Sequence, residues 1–459
     1  MIRAPLIASA PPPRIERAVY EAALEVVRRL RNAGHDAFFA GGFARDTLLG
    51  RPVHDIDLAT SAKPDEVQAM FPSSRAIGKS FGVIQVIIDK MAFDVATFRQ
   101  DLDYADGRHP STVRFTTAAG DAERRDFTVN GMFYDPTSKQ VIDYVGGLDD
   151  LNRKTIRCIG EPSARFAEDH LRLLRAVRFA TVLDFSIDRE TWSAIRACAA
   201  SIATVSMERV REEIIRIFME SPAPGKALHT LHDSGLLAVI LPEAQAMHGV
   251  EQPPDFHPEG DVFTHTALML DLMRERSPEL IWSILMHDIA KPVTHAILPD
   301  KKTGEPRITF RGHADVGARM AEDIMRRFKC SNDQIEAVVT AVKHHMRFAD
   351  IPNMRDAKLR RWVGSENFPL ELELHRIDCS ASHNDLKLYD MVEAFREKLA
   401  AEPVLPEPLL RGRDLIDAGI PPGPHLGKLL QAAYDAQLDG EFTDKESALA
   451  WLKKSQTEL

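Results

Sequence analysis

Hydrophobic periodicity changes once along this chain, near residue 160, and that change constrains the fold more than any other feature. Before it, short apolar runs broken by glycine and polar turns alternate with helical spacing; after it, the spacing is almost wholly helical. "RIERAVYEAALEVVRRLRNAG" predicts a helix that stops at Gly34, "DAFFA" a buried strand, Gly41-Gly42 a turn and "FARDTLLG" a short helix. "HDIDLAT" predicts a second strand, "KPDEVQAMF" a helix, and "FGVIQVIID" with "MAFDVATF" a hairpin about Asp89-Lys90. The expected class is therefore α+β, with a mixed α/β segment closing near "VIDYVGGLDDL" and helices beyond it. Breaks at 221–228, 250–261 and 401–415 punctuate the helical part.

The 459 residues suffice for roughly two to four domains. A formal net charge of -10 argues on its face against nucleic acid, yet binding depends on local basic stripes. Arg153, Lys154, Arg157, Arg165, Arg172, Arg175 and Arg178 form one such candidate; a solvated helix face is the other reading. Cys158, Cys198, Cys330 and Cys379 lie far apart with no CxxC pair, which disfavours disulfides or thiolate zinc and fits a reducing cytoplasm. The start lacks a long apolar run, and no stretch is long enough to span a membrane, so a cytoplasmic protein with no membrane partner is expected. Nothing in the sequence fixes an oligomeric state.

Asp55 and Asp57 are two apart in an expected strand, so both leave the same face. Two crowded carboxylates repel unless a cation lies between them, and Mg2+ favours carboxylates together with substrate phosphates. Gly41-Gly42 precede a helix start, where free N–H groups and the dipole attract phosphate, and Arg45 can add a fork of donors. An Asp-x-Asp alone is a weak signal, since many are solvated loops. Strand, Gly-Gly turn, helix and then Asp-x-Asp describes a metal-assisted phosphoryl or nucleotidyl transfer site.

"GGFARDTLLGRPVHDIDLAT" resembles the motif of class II tRNA nucleotidyltransferases and bacterial poly(A) polymerases, of the polymerase-β-like superfamily. The resemblance continues in order through "RRDFTVNGMFYDP", "DYVGGLDDL", "EDHLRLLRAVRF" and "SMERVREE". It implies a nucleotidyltransferase head domain over 35–160, preceded by a segment and helix over 1–34. A helical neck over 161–222, an HD-type body over 223–400 and a helical tail over 401–459 would follow. It also implies CTP and ATP as substrates, the tRNA 3′ end as partner, and Mg2+ held by Asp55 and Asp57, with one ion activating the RNA hydroxyl and another steadying pyrophosphate. Asp94, mid-strand among apolar residues where an unpaired carboxylate is costly, stands as a third acidic candidate; a carboxylate paired with an arginine is its other reading. Gly42, Arg45 and Arg125 fall at nucleotide-binding positions, with Asp126 and Asn130 orienting sugar and loop. This chain has Asn130-Gly131 where the family usually has Asn-Ala.

In "EDHLRLLRAVRF", Asp169 and Arg172 are three apart, neighbours on an expected helix face that Arg175 and Arg178 continue. A carboxylate accepts from an exocyclic amine while a guanidinium donates to the adjacent ring nitrogen, a pattern that suits cytosine and adenine. Uracil and guanine would leave buried groups unpaired, at about 1–3 kcal/mol each. The resemblance assigns base choice to this motif; an intrahelical salt bridge is the alternative. "SMERVREE" is expected to support that helix, with Glu208 pairing an arginine. Residues 99–115 are expected to form a mobile loop matching the one family members use in passing from C to A addition.

In the helical half, His265, His287-Asp288, His313, His344, His345 and Asp378 form a second constellation, resembling the HD-type metal-dependent phosphohydrolase domain. Imidazoles and carboxylates suit Mn2+, Ni2+ or another divalent transition metal, and His265, His287, Asp288 and Asp378 are the expected ligands. Two further functions remain open: an A-adding enzyme or poly(A) polymerase, and an HD phosphohydrolase whose nucleotidyltransferase-like part only binds RNA. The tail lacks the long basic run common in poly(A) polymerases of this group. In "LLRGRDLIDAGIPPGPHLGKLL" a Gly-Pro turn precedes a helix, where N–H groups meet RNA phosphate or simply join two helices.

Overall fold

A computed structural model describes residues 5–104, 110–255, 257–300, 303–399 and 404–455. Two compact units divide the chain, 1–242 and 243–459. In the first, helix α1 (Arg17–Asn32) buries Ala23, Val26, Val27 and Leu30, the i, i+3, i+4, i+7 stripe its sequence predicts, and the chain leaves it through Gly34 at φ 87. The stripe packs on a mixed sheet of eight strands.

Those strands are β1 (Leu6–Ser9), β2 (Ala37–Ala40), β3 (Asp57–Thr60), β4 (Ser74–Gly78), β5 (Val83–Ile88), β6 (Met91–Thr97), β9 (Phe133–Asp135) and β10 (Gln140–Asp143). They lie in the order β1-β10-β9-β2-β3-β6-β5-β4. β3 and β6 run parallel, and the other pairs antiparallel. β1 is an addition to the expected pattern: four residues of the proline-rich start pair with β10. The β5–β6 hairpin turns at Asp89 and Lys90, both at positive φ.

Helix α2 (Gly42–Leu48) follows β2, and Phe43 on it packs between Phe39 and Tyr134, with ring centroids 4.9 and 5.0 Å away. α3 (Pro64–Met70) crosses from β3 towards the β5–β6 hairpin. The segment expected as a loop is instead a two-stranded ribbon at both ends, β7 (Arg99–Tyr104) against β8 (Pro110–Phe115); residues 105–109 of that expectation lie outside the described residues. α4 (Ala118–Glu123) and α5 (Gly147–Asn152) complete the sheet layer, and β11 (Thr155–Ile156) pairs with β12 (Ser186–Ile187) beyond it.

The helices that follow are α6 (Pro162–Glu168), α7 (Arg172–Leu183), α8 (Arg189–Cys198), α9 (Met207–Glu220), α10 (Pro224–Asp233), α11 (Leu236–Ile240) and α12 (Pro242–Gln245). α7 is buried almost all round and packs on α9 and α10. The second unit is helical: α13 (Val262–Asp271), α14 (Pro278–Met286), α15 (Lys291–Thr294), α16 (His313–Arg327), α17 (Asn332–His344), α18 (Asp356–Val363), α19 (Phe368–Ala381) and α20 (Lys387–Leu399). One hairpin, β13 (Ala296–Pro299) with β14 (Pro306–Thr309), interrupts it. α21 (Gly412–Asp417), α22 (Pro424–Leu438) and α23 (Lys445–Ser455) form a tail with its own apolar cluster around Leu415, Phe442 and Leu452. No helix among the described residues is long and apolar enough to cross a membrane.

Candidate nucleotidyl-transfer and metal sites

In the first unit, a cleft of about 720 Å3 opens between the Gly-Gly turn, the start of β3 and the arginine-bearing side of α7. Asp55, Asp57, Gly42, Arg45, Arg125, Asp169, Arg172, Arg175 and Arg178 all line it. β3 begins at Asp57, so Asp55 precedes the strand rather than lying within it as expected. The chain is nonetheless extended there: Asp55 and Asp57 are exposed and Ile56 between them is buried. The parallel pairing of Leu58 with Val95 sets Asp57 level with Asp94 on the neighbouring strand. The Asp94 carboxylate accepts from Gln85 Nε2 at 3.2 Å, which replaces the arginine partner of its alternative reading.

Asp57 is open to solvent at the cleft mouth, but the cleft walls around it thin its hydration and push its carboxyl above its ordinary range; Arg125 opposes the shift, and Asp94 and Asp55 add to it by repulsion. Two carboxylates, Asp55 and Asp94, that both repel Asp57 fit a divalent cation held in oxygen ligands. The glycines make room for this arrangement. Gly41 sits at φ +64, and a Cβ there would meet Asp57 Oδ2 at 2.9 Å; a Cβ on Gly42 would meet Arg45 Nη2 at 2.9 Å.

The arginines of the cleft are held by acids that sequence reasoning largely missed. Arg45 donates to Asp46 from Nε and Nη2 at 3.0 and 2.7 Å, and from Nη1 to Asn130 Oδ1 at 2.6 Å. Arg125 donates to buried Asp121 at 2.9 Å, and the same carboxylate takes Arg124 at 2.8 Å. Asp126 is buried and accepts from Arg175 at 2.6 and 2.9 Å and from Asn130 at 3.1 Å. Burial alone would raise the Asp126 pKa, but the Arg175 charge and these hydrogen bonds hold it down to about 2. Phe179 lies under three guanidinium groups, Arg45 and Arg175 at 5.2 Å and Arg178 at 4.4 Å from its ring centroid.

Asp169 is not on a helix with Arg172. It lies in the junction between α6 and α7 at φ -145, and its Oδ1 accepts the Leu171 N–H at 3.1 Å as a capping residue does. Its carboxylate pairs with Arg209 at 3.1 Å, whereas Arg172 donates to Glu168 and to the Arg165 carbonyl. The intrahelical Asp169–Arg172 bridge is therefore replaced by two separate partners on one cleft wall. Arg172, Arg175 and Arg178 do share α7, as the stripe predicts. α9 supports it through Glu213, which accepts from buried Arg178 at 2.7 Å, and not through Glu208. Desolvation lowers the Arg178 pKa to about 10 against the pull of Glu213.

In the second unit, His265 on α13, His287 and Asp288 after α14, and Asp378 on α19 converge. His265 Nε2 lies 3.1 Å from Asp378 Oδ1, and His287 Nε2 lies 3.0 Å from Asp288 Oδ2. His313 and His345 join them, with Asp288 Oδ1 at 3.5 and 3.9 Å. His344 does not: its Nδ1 turns to Glu371 at 3.1 Å in a separate cleft. The histidine tautomers follow from their outer partners. His287, His313 and His345 each direct Nδ1 at a backbone carbonyl, of Ile284, Phe310 and Val342, leaving Nε2 as a bare acceptor turned inward.

His313 Nε2 and His345 Nε2 face each other at 3.0 Å, and burial lowers both pKa values, that of His345 to about 4. Two lone pairs at that distance repel, and a cation between them resolves the conflict. Behind the cluster, Glu259 Oε1 takes His265 Nδ1 at 2.6 Å and His257 Nδ1 at 2.9 Å, an outer carboxylate of the kind that orients metal-bound histidines. The donor set thus fits a divalent metal, and two groups within it, His265–His287–Asp288 and Asp288–His313–His345, have ligand atoms within 4.8 Å of one another.

Family models match as a poly A polymerase head domain over residues 37–157, a probable RNA- and SrmB-binding site of polymerase A over 184–247, and an HD domain over 262–382. A CCA-adding enzyme of Geobacillus thermodenitrificans is 31% identical over 455 residues, spanning 96% of this chain and 98% of that one. The chain belongs to the CCA-adding enzyme family. Another family member, from Lactobacillus gasseri, is 31% identical over 435 residues, covering 94% of this chain and 96% of its own. The crystal structure of the Bacillus stearothermophilus CCA-adding enzyme in complex with CTP superposes with a TM-score of 0.73 at 27% identity, covering 96% and 99% of the two chains. The Thermotoga maritima CCA-adding enzyme complexed with tRNA shares the fold, with a TM-score of 0.62 at 18% identity over 96% and 97%. As in other members of this family, a mixed α/β sheet precedes helices, and nucleotidyltransferase chemistry is the family's work.

Asp121 was within reach of sequence reasoning, since it stands three and four residues before Arg124 and Arg125, which follow directly on the end of α4. Arg209 and Glu213 lie in the supporting motif "SMERVREE", where the expectation fell on Glu208 instead, and Glu259 carried no local signal that set it apart from surface charges.

Proposed function

We propose that this chain is a template-independent RNA nucleotidyltransferase that completes or repairs the 3′-terminal CCA of tRNA with CTP and ATP. The carrying observation is the pair Asp55 and Asp57 where β3 begins, lining a cleft walled by arginines, with Asp94 level with Asp57 on the neighbouring strand. In the reaction the RNA 3′-oxygen bonds to the α-phosphorus of the incoming nucleotide, the hydroxyl proton is lost, and the bond to pyrophosphate breaks. Asp55 and Asp57, with Asp94, would hold Mg2+, which in a two-metal arrangement sharpens the nucleophile and steadies the leaving group. Arg125, whose charge opposes the carboxylates at Asp57, binds triphosphate, with Gly42 and Arg45 shaping the turn beneath it. Asp169 and Arg172 read the amine and ring nitrogen of cytosine or adenine, and Arg175 and Arg178 hold the wall on which they stand.

Product lengths on tRNA lacking its 3′ end test this. CTP with ATP should yield a single CCA extension, and CTP alone should stop at CC. Addition of A only, to tRNA already ending in CC, would replace the full reading with an A-adding enzyme. A long ladder of A on arbitrary RNA would indicate a poly(A) polymerase.

A second reading concerns the helical unit. The facing acceptors of His313 and His345 at 3.0 Å support a metal-dependent phosphohydrolase centre, with His265, His287, Asp288 and Asp378 as ligands to Mn2+, Ni2+ or a similar ion. Uptake of Mn2+ that is lost in His287→Ala, with CCA addition retained, is the expected outcome.

A further inference from the structure

The HD-type cluster opens into a cavity of about 260 Å3, at the lower limit of small-molecule pockets. One wall comes from an unusual place. The β13–β14 hairpin interrupts an otherwise helical unit, between Lys291 just after the His-Asp pair and His313 at the start of α16. Lys291 and His313 both line the cavity, so both roots of the hairpin are fixed to it, and Arg307, Ile308 and Thr309 of β14 complete the lining. Thr309 Oγ1 donates to the Ala296 carbonyl at 3.2 Å, tying the strands together at the base.

The cations there have different duties. Lys291 is buried, and its Nζ lies 2.6 Å from Asp288 Oδ2 and 2.6 Å from Gln252 Oε1. Its charge is committed to the carboxylate cluster. Arg307 is 45% exposed and meets Asp300 of the same hairpin at 3.3 Å. A solvent-facing pair of this kind is worth about 0–1 kcal/mol, less than a guanidinium fork gains on a phosphate. Ile308, Phe310 and Met346 offer apolar surface beside it.

We propose that the β13–β14 hairpin is the ligand-reading arm of this cavity, and that Arg307 holds a phosphoryl oxygen of a compact phosphomonoester bound there. The apolar surfaces take the carbon skeleton of the ester. This rests on the phosphohydrolase reading of the helical unit given above.

Calorimetric titration of the full-length protein with Mn2+, and separately with inorganic phosphate in the presence and absence of Mn2+, tests it. Arg307→Gln should weaken phosphate binding about tenfold, the loss of one charge-assisted contact, and leave Mn2+ uptake unchanged. Asp300→Asn should leave phosphate affinity equal or higher, because it removes one anion that competes for Arg307. Unchanged phosphate affinity in Arg307→Gln overturns the inference, as does absence of phosphate binding by the wild type. A loss in Asp300→Asn equal to that in Arg307→Gln also overturns it, since the pair would then only brace the hairpin. Failure of the wild type to take up Mn2+ removes the hydrolase reading, and the phosphate titration without metal still decides the role of Arg307.

Discussion

Asp126 gives the sharpest test of how the cleft is held together. Its carboxylate is buried, 9% exposed as a side chain, and meets Arg175 at 2.6 Å. Its pKa is held at about 2 against an ordinary 3.8, a preference for the charged form worth about 2 kcal/mol to the folded state. Asp126→Asn keeps the shape and removes the charge, so the variant should be about 2 kcal/mol less stable at neutral pH. The sign of the pH effect follows from a depressed folded value. The stabilisation is complete above the unfolded pKa and is lost as pH falls through the folded one. At pH 3 the unfolded carboxylate is mostly protonated and the folded one mostly charged, so about 1 kcal/mol of the wild type's advantage has gone. Urea titrations at pH 7, 4 and 3, read by hydrogen exchange of the peptide 172–183, measure the difference between the two proteins in the unit concerned. A gap that is absent at pH 7, or that stays constant down to pH 3, would refute the assignment of this stability to the Asp126 charge.

The same cleft yields two further expectations. Gly41→Ala imposes a side chain on a residue at φ +64 and drives a methyl to 2.9 Å from Asp57 Oδ2. A backbone at φ 64, ψ -134 is close to glycine-only and costs an alanine about 1–3 kcal/mol, whereas displacing the carboxylate proposed to hold Mg2+ should slow nucleotide addition at least about 100-fold. Single-turnover extension beside urea unfolding separates the two losses, and equal activity with lower stability would show that Asp57 tolerates the shift. Asp57→Ala should abolish every extension product while leaving Mn2+ uptake by the helical unit intact, read by gel extension and calorimetry on one preparation.

Much of the first site was legible because its chemistry is local in sequence. A Gly-Gly turn, an arginine three positions on and two acids one residue apart fall within twenty residues, and a β alternation carries both acids to one face. Asp94 was visible from context, an acid in an apolar strand, but its place beside Asp57 depends on the parallel register of β3 with β6, which nothing local specifies. The error at Asp169 is instructive. Helical spacing to Arg172 suggested a shared face, yet an acid just ahead of an apolar periodic run is also what caps a helix, and the structure uses it so. The pairs that fix the arginines, Arg175 with Asp126, Arg209 with Asp169 and Arg178 with Glu213, join residues 49, 40 and 35 positions apart. Charge composition cannot match such partners in advance.

The second site shows the same limit at the scale of one residue. His344 and His345 are adjacent, and side chains of successive helical residues diverge by about 100°. Only one of them can therefore face a cluster that lies on one side of the helix. The choice falls to His345, whose Nδ1 returns to the Val342 carbonyl while His344 turns to Glu371, itself tied to Trp362 Nε1 at 2.7 Å. His344 is held outside the candidate metal cluster by Glu371, a carboxylate that belongs to a separate buried pair with Trp362.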